Sequence, residues 1–333
     1  MTLNKLNLTF ACGPYDRMQP LYEGAVGIEG VEIVPRVIQF PVEIFSRMLK
    51  NDEFDIAEMS LTHCYTLSAL GKARFVTLPV FPSRMFRHGF IFVNRRAGIR
   101  TPKDLEGRRI GVQGYQMTAA VWIRGILARE YGVSFEHVRW LEGGVNQPGV
   151  AGGEAMVLRP DAPLAVEHIG EKRTLSDMLA AREIDALIGA FAPLSLRTSP
   201  DVVRLFPDFH QREREYYRRT GIHPIMHALV MRAALHAQHP RLAQKVYEAC
   251  VAAKDVALRQ ARFSGAPRYM LPWLYEHLDE MDEVFGDDPW PYGLARNLPT
   301  LQAFAQLLAE QRLLPRPPRL EDVFVPVGEG GSS

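Results

Sequence analysis

The strongest constraint on the fold is an alternation of short apolar strands with amphipathic helices that opens the chain and later begins again. Three strand patterns come first, at Leu6–Phe10, Val31–Ile38 and Phe54–Met59. Helical periodicity separates them at residues 18–26 and 43–50. Strands that alternate with helices in this way predict a mainly parallel sheet with helices on both faces.

The same pattern restarts after residue 100. The segments Arg109–Val112, Val138–Leu141 and Ala186–Ala190 are strand-like, and Thr118–Tyr131 is helical with Trp122 on its apolar face. A chain that builds one β/α lobe, crosses to a second and then returns has two connecting strands. Such strands form a hinge, and the ligand is expected in the cleft between the lobes.

This order divides the chain into three parts. We expect the first part of lobe 1 at 1–94, lobe 2 at 95–205, and a return to lobe 1 with C-terminal helices and a tail at 206–333. The Gly- and Pro-rich stretch 143–170 is expected to be irregular. The predicted fold class is therefore α/β, with two β/α lobes joined by a two-strand hinge.

Composition limits the binding partners and the cellular compartment that we expect for this chain. The 333 residues carry a formal net charge of +1, so anion recognition must come from locally placed Arg and His, and no nucleic-acid or membrane partner is expected. The N-terminus shows no signal-like apolar run, and no stretch is long enough to span a membrane. Cys12, Cys64 and Cys250 lack CxxC spacing, which favours buried thiols in a reducing compartment. We therefore expect a cytoplasmic protein.

Polar side chains follow the strands of both lobes. Ligands of open α/β sheets bind beyond the carboxyl ends of the strands, where helix N-termini offer unpaired N–H groups. The resulting candidates for ligand contacts are Arg17, Ser60, Thr62, Tyr115, Gln116 and Thr118. The turn before the Thr118 helix is compatible with anion capture, with N-capping by Thr118, or with both.

Arg84, Arg87 and His88 form the most informative cluster, because three cationic or potentially cationic side chains fall within five residues at a strand end. An Arg fork binds a carboxylate in bidentate fashion, so the cluster indicates a carboxylate-bearing ligand. The alternative is that one Arg pairs with a structural acid and the other points to solvent.

Two further histidines and one acid are candidates for proton transfer. His223 and His227 have the spacing of metal ligands on a helix, but Pro224 lies between them and no third ligand is apparent. We therefore predict no metal site. Each histidine is compatible with a site role or with a structural hydrogen bond. Asp16 is compatible with general acid–base chemistry or with an ion pair to Arg17.

The chain resembles the 4,5-dihydroxyphthalate decarboxylase family over nearly its whole length. The blocks from Phe81 to His88 and from Tyr115 to Gly125 are the most specific. The chain departs from the family mainly in the region 143–170. The similar segments are Tyr15-Asp16-Arg17, Phe54 to Ser60, Pro79 to His88, Tyr115 to Gly125, Trp290-Pro291-Tyr292-Gly293, Asn297 and Glu321 to Phe324.

The resemblance implies a type II periplasmic-binding-protein-like fold and the non-oxidative decarboxylation of a hydroxylated aromatic acid in aromatic-compound degradation. The substrate it implies is 4,5-dihydroxyphthalate and the product protocatechuate, by a route that requires no metal or organic cofactor. On this interpretation Arg84 and Arg87 hold the retained carboxylate, aided by Ser60, Gln116 and Thr118. The candidates for proton transfer are His88, His223 and His227.

Two other functions use the same fold. One is a solute-binding protein that delivers an aromatic carboxylate to a transporter without catalysis, and an export signal would favour it. The other is a thiamine-pyrimidine synthase, whose His and Cys residues find no match here. The oligomeric state stays open, because the apolar tail residues Val323, Phe324 and Val325 could pack on their own lobe or on a second copy.

Overall fold

The computed structural model describes residues 5–149 and 166–328. These residues form two compact units. Unit 1 comprises the described residues within Met1–Arg84, His227–Leu301 and Pro318–Ser333, and unit 2 those within Met85–Met226 and Gln302–Pro317.

Unit 1 is built on a five-stranded sheet with the order β2-β1-β3-β11-β4. Strand β1 pairs in parallel with β2 and β3, whereas β11 runs antiparallel to β3 with His227 opposite Ser60. The sequence predicts the first three strands and the two helices between them to within a few residues. The strands are β1 Leu6–Cys12, β2 Val31–Val37, β3 Ile56–Ser60, β4 Phe75–Arg84 and β11 Ile225–Arg232.

The helices of unit 1 pack apolar faces against this sheet. Helix α2 begins with Pro at its first position and buries Ile44, Phe45 and Met48, the face that the sequence predicts. The helices are α1 Gln19–Tyr22, α2 Pro41–Asn51, α3 Leu61–Ala69, α8 Ala233–Gln238, α9 Leu242–Arg262 and α10 Leu274–Phe285.

The apolar C-terminal tail packs on unit 1 itself. The ring of Phe324 lies edge-on to Tyr65 and to Phe81, with centroid separations of 5.8 and 6.0 Å. The amide of Val325 donates to the Thr77 carbonyl oxygen at 2.9 Å, so the tail also hydrogen-bonds to β4. Val323 and Phe324 are buried in this way, which answers the question that the sequence leaves open about them.

Unit 2 contains a six-stranded sheet with the order β10-β5-β9-β6-β7-β8. Strands β9, β6, β7 and β8 pair with one another in parallel, whereas β5 is antiparallel to both β9 and β10. Strand β8 lies in the stretch expected to be irregular, of which residues 150–165 are outside the described part. The strands are β5 Ile91–Asn94, β6 Arg109–Val112, β7 Arg139–Glu142, β8 Val166–His168, β9 Ala186–Ile188 and β10 Val202–Arg204.

Helix α4 forms the centre of unit 2 and spans Thr118–Tyr131, as predicted. Its Trp122 is fully buried and donates from Nε1 to the Ile225 carbonyl oxygen at 2.9 Å. Gly125 allows close packing on Leu307, because a Cβ there would lie 2.4 Å from Leu307 Cδ1. The other helices are α5 Leu175–Ala180, α6 Ser195–Thr198, α7 Phe209–Thr220 and α11 Leu298–Glu310, of which α11 begins in unit 1.

Helix α7 contains the charged run at residues 211–219, whose sequence predicts a solvated helical face. Glu213 and Tyr216 within this run are nevertheless buried. None of the helices within the described part of the chain has both the length and the apolar character of a membrane span.

Candidate active site

The carboxyl ends of β1 and β3 and the start of antiparallel β11 meet at one edge of the sheet of unit 1. Strand β3 ends at Ser60, which pairs with His227 near the start of β11. Strand β1 ends at Cys12 and leads into the turn that carries Tyr15 and Arg17. The sheet thus brings together residues that are up to 215 positions apart in the sequence.

Glu58 is the buried centre of this edge. Its side chain is 0% exposed, and its Oε2 accepts from the Gly13 amide at 3.0 Å and from Cys12 Sγ at 3.5 Å. Its Oε1 accepts from the Tyr15 hydroxyl at 2.7 Å and lies 2.5 Å from His227 Nδ1. A buried carboxylate with this many donors is held as an anion in a fixed orientation.

Two opposing effects set the charge of Glu58. Burial alone would raise the pKa of its carboxyl. The charge of His227, together with hydrogen bonds from His227, Tyr15 and the Gly13 amide, outweighs burial, so the pKa lies below its usual value. Burial and the Glu58 charge also raise the pKa of Tyr15, so its hydroxyl stays protonated and donates.

His227 is oriented by this carboxylate. Its Nδ1 faces Glu58, and its ring lies edge-on to Phe45 with centroids 5.0 Å apart. The imidazole is therefore fixed by a charged partner and a ring contact, while its side chain stays 18% exposed. A histidine held in this way can transfer a proton through Nε2 while the carboxylate stabilises its charged form.

Glu58 is the functional residue that sequence reasoning missed. It stands in the strand pattern Phe54–Met59, where Asp55 and Glu58 interrupt the apolar residues, and a charged residue in such a strand is rarely buried unless it is paired. That exception to the apolar pattern was the signal available in the sequence.

Arg17 and Asp16 lie on the same turn. Arg17 Nη1 is 2.9 Å from Asp16 Oδ1, and Asp16 Oδ2 accepts from the Tyr269 hydroxyl at 2.8 Å. The ion-pair interpretation of Asp16 is thus the one that the geometry favours. The Arg17 guanidinium also packs against the rings of Tyr15 and Trp290.

Ser60 and Thr62 lie where β3 passes into α3, at the same edge as His227. Ser60 precedes the helix and Thr62 is in its first turn, and both are buried. The Thr62 carbonyl oxygen accepts from Thr66 Oγ1 at 2.7 Å.

The two arginines of the predicted clamp have different environments. Arg84, in unit 1, donates from Nη2 to the Pro291 carbonyl oxygen at 2.5 Å and to the Asn297 side chain. Arg87, in unit 2, is buried with Nε 3.2 Å from Met226 Sδ. Burial lowers the pKa of Arg87 to about 10. Their joint role in binding a carboxylate stays a prediction.

His88 and His223, both in unit 2, lie among aromatic rings. His88 is 1% exposed, and burial, with the charges of Arg212 and Arg219, lowers its pKa to about 4. His223 stacks on Phe86 with ring centroids 4.6 Å apart.

The turn before α4 carries the other predicted contacts. The amide of Tyr115 donates to Glu142 Oε2 at 2.7 Å. The centroid of the Tyr115 ring lies 3.8 Å from the central guanidinium carbon of Arg124. Gln116 follows it on the turn. The N-cap of α4 is Met117, and Thr118 is the first helical residue. Of the alternatives given for this turn, N-capping by Thr118 is not the one observed, because the extended backbone of the cap falls one residue earlier, at Met117.

Cys12, Cys64 and Cys250 are free and buried, as predicted. No group of three His, Cys, Asp or Glu side chains within residues 5–149 and 166–328 is arranged to hold a metal ion.

Two curated relatives are similar to this chain. The 4,5-dihydroxyphthalate decarboxylase of Comamonas testosteroni is 39% identical over 319 residues, which cover 94% of this chain and 96% of that protein. The 4,5-dihydroxyphthalate decarboxylase of Pseudomonas putida is 41% identical over 217 residues, 65% of this chain and 83% of that protein. No family model matches the chain.

Solved structures with a similar fold include two sulfonate-binding proteins. The periplasmic sulfonate-binding protein of Methylobacillus flagellatus has a TM-score of 0.54 at 12% identity, covering 97% of this chain and 92% of that one. The periplasmic aliphatic sulphonate-binding protein of Escherichia coli has a TM-score of 0.52 at 14% identity, with the same coverage. At such identities the similarity concerns the fold alone, and it confirms the predicted type II periplasmic-binding-protein-like class.

Proposed function

The chain belongs to the 4,5-dihydroxyphthalate decarboxylase family, and from this membership we propose that it converts 4,5-dihydroxyphthalate into protocatechuate and carbon dioxide. The observation that carries the proposal to this chain's own residues is the buried pair of Glu58 and His227, with 2.5 Å between Oε1 and Nδ1. Decarboxylation requires a proton donor, and a histidine held by a buried carboxylate can supply one.

The proposed decarboxylation begins with protonation of the ring. A free aryl anion is too unstable to form, so the ring carbon must gain a proton before the carboxylate leaves. The hydroxyl para to that carbon loses its proton and becomes a ketone, which gives a cyclohexadienone. The bond from the ring carbon to the carboxylate then breaks, carbon dioxide leaves, and the electron pair restores the ring while the ketone oxygen regains a proton. Each turnover consumes one proton from solvent.

We assign the proton donor to His227. Its Nδ1 is committed to Glu58, so Nε2 is the nitrogen that can deliver a proton to the ring carbon. Glu58 orients the imidazole and stabilises its charged form, and Tyr15 and the Gly13 amide in turn hold Glu58. Glu58 is a positioning residue, because it acts through His227.

Several predicted contacts are retained as proposals. Ser60 and Thr62 lie at the same edge of unit 1 as His227 and are suited to hydrogen-bond the substrate. For unit 2 we retain Tyr115, Gln116 and Thr118 at the start of α4, where backbone N–H groups favour an anion. Substitution of any of these residues should raise KM for the substrate, and an unchanged KM removes that residue from the set.

The decisive experiment compares the wild type with His227→Gln in an assay for carbon dioxide and protocatechuate. We expect turnover to fall about 100-fold or more, because the donor is lost while the shape of the side chain is largely kept. The exposed His137→Gln is the matched control and should keep wild-type turnover. Near-normal turnover in His227→Gln would refute the assignment.

The same assay distinguishes catalysis from transport. Saturable binding of hydroxylated aromatic acids by the wild type, without release of carbon dioxide, would favour a solute-binding protein. We also propose a cytoplasmic location, supported by three free, buried cysteines. Recovery of the native protein in an exported fraction would overturn it. Self-association is likewise a proposal, to be decided by measuring the mass of the protein in solution.

A further inference from the structure

We propose that Arg17 binds the carboxylate that stays on the ring and thereby makes the enzyme specific for neighbouring dicarboxylates. This inference rests on the proposed decarboxylation. It assigns the anchor to a residue next to the Glu58–His227 pair instead of to Arg84 and Arg87.

The Arg17 guanidinium packs against two aromatic rings. Its central carbon lies 4.4 Å from the centroid of the Tyr15 ring and 4.2 Å from that of Trp290. Trp290 is itself fixed, because its Nε1 donates to the Phe81 carbonyl oxygen at 2.9 Å. Two stabilising cation–π contacts therefore hold the cation in place.

Only some of the N–H groups of the Arg17 guanidinium donate hydrogen bonds to the protein. Nε donates to the Pro82 carbonyl oxygen at 2.7 Å and Nη1 donates to Asp16 Oδ1 at 2.9 Å. Of the five N–H groups of a guanidinium, these bonds use two. Within residues 5–149 and 166–328, Nη2 donates to no protein acceptor, and the side chain is 16% exposed. The remaining donors lie in one plane, as the two oxygens of a carboxylate require.

Arg84 contrasts with Arg17. Its Nη2 donates to the Pro291 carbonyl oxygen and to the Asn297 side chain, and the residue is buried. These bonds tie Arg84 to the segment that carries Trp290. Arg84 is thus suited to hold this segment in place, while Arg17 presents its donors to a ligand.

Tyr15 links the anchor to the proton donor. Its ring covers Arg17, and its hydroxyl donates to Glu58 Oε1, the same oxygen that faces His227. One side chain thus fixes both groups at the same edge of the sheet. A substrate carboxylate held at Arg17 leaves its neighbour on the ring without an Arg partner, which is favourable because a tight ion pair there would stabilise the ground state.

The test separates carboxylate recognition from general damage. Dissociation constants are measured by calorimetry for protocatechuate, which keeps the carboxylate, and for catechol, which lacks it. In Arg17→Gln we expect the dissociation constant of protocatechuate to rise about 30-fold, because a charge-assisted bidentate contact is lost. The dissociation constant of catechol should change less than about threefold, because catechol has no carboxylate. The exposed Arg36→Gln is the control and should alter neither constant.

Two outcomes would overturn the inference. Equal weakening of both ligands would mean that Arg17 is structural, and no weakening of either would mean that it does not touch the ligand. If Arg17→Gln fails to fold, Arg17→Lys serves instead: it keeps the charge but loses the fork, and it should weaken protocatechuate selectively by a smaller factor. The proposed function and the anchor can fail separately. If the wild type releases no carbon dioxide but Arg17→Gln still loses its preference for the carboxylate ligand, the proposed function is refuted and the role of Arg17 is retained.

Discussion

His227 and His88 are both proton-transfer candidates in the sequence, and the structure gives them opposite environments. His227 faces a buried carboxylate at 2.5 Å and keeps part of its side chain exposed. His88 is almost fully buried, and its Nδ1 has no hydrogen-bond partner in the part of the chain that the structure describes. Its ring lies within 6.3 Å of three aromatic rings, those of Tyr131, Phe206 and Tyr216.

This difference shows that a histidine's partner decides its chemistry more than its position near a strand end does. An anion beside the imidazole favours the charged form, whereas burial near Arg212 and Arg219 disfavours it. With a pKa of about 4, His88 is neutral at neutral pH and is poorly suited to donate a proton there. The comparison therefore predicts that catalysis depends on the surroundings of one histidine and is insensitive to those of the other.

The largest effect in this comparison should come from Glu58→Gln. Glutamine keeps the shape of the side chain but removes the charge that orients and stabilises protonated His227, so kcat should fall about 100-fold. KM should change much less than kcat, because Glu58 acts through the proton donor.

Tyr15→Phe is the matched control for Glu58→Gln. It removes one hydrogen bond to Glu58 but keeps the carboxylate and the ring that covers Arg17. Its kcat should fall less than about tenfold, in line with the loss of a single hydrogen bond. A Glu58→Gln enzyme with the wild-type kcat would contradict the role of the pair.

His88→Phe should leave turnover within about threefold of the wild type, since His88 lies among aromatic side chains. Its effect should appear in acid stability. Unfolded histidine titrates near pH 6.5, whereas folded His88 titrates at about 4, so wild-type stability falls as the pH drops through this interval. The melting temperature of the variant minus that of the wild type should therefore be about 5 °C higher at pH 5 than at pH 8. Loss of turnover in a folded His88→Phe protein would show that the assignment of proton transfer to His227 in unit 1 is wrong.

The sequence predicts those parts of the fold whose signals are local. Helix α4 is predicted at its observed bounds because its apolar face repeats with helical periodicity over four turns. Strands β8 and β10 are missed because three residues are too short to show an alternation. Helix α10 is missed because it buries only Leu274 and Leu278.

The candidate site is predicted less completely, because its contacts join distant residues. His227 is found from its place on the returning strand, but its partner Glu58 is 169 residues away and nothing local connects them. Arg84 and Arg87 suggest a clamp because they are close in sequence, yet they bond to different partners in different units. Their joint role in binding a carboxylate stays a prediction, because proximity along the chain does not show which of their donors meet a ligand.

Glu213 offers the smallest and finest test, because it is an acid in the same buried environment as His88. Its Oε1 accepts from the Gly89 amide at 3.1 Å, and burial raises its pKa to about 7 despite the nearby charges of Arg87 and Arg204. Since the unfolded carboxyl titrates near 4.5, its contribution to stability is complete below that pH and is lost as the pH rises through 7.

Glu213→Gln keeps an acceptor for the Gly89 amide but has no charge to bury. Its melting temperature should match that of the wild type at pH 5 and exceed it by about 3 °C at pH 8. The pH dependence is thus opposite to that of His88→Phe, as expected if one environment disfavours charge of either sign. A variant that is less stable than the wild type at pH 8 would show instead that Glu213 is ionised and paired with Arg87. The contrast between the two histidines would then rest on aromatic packing around His88 and not on a general exclusion of charge.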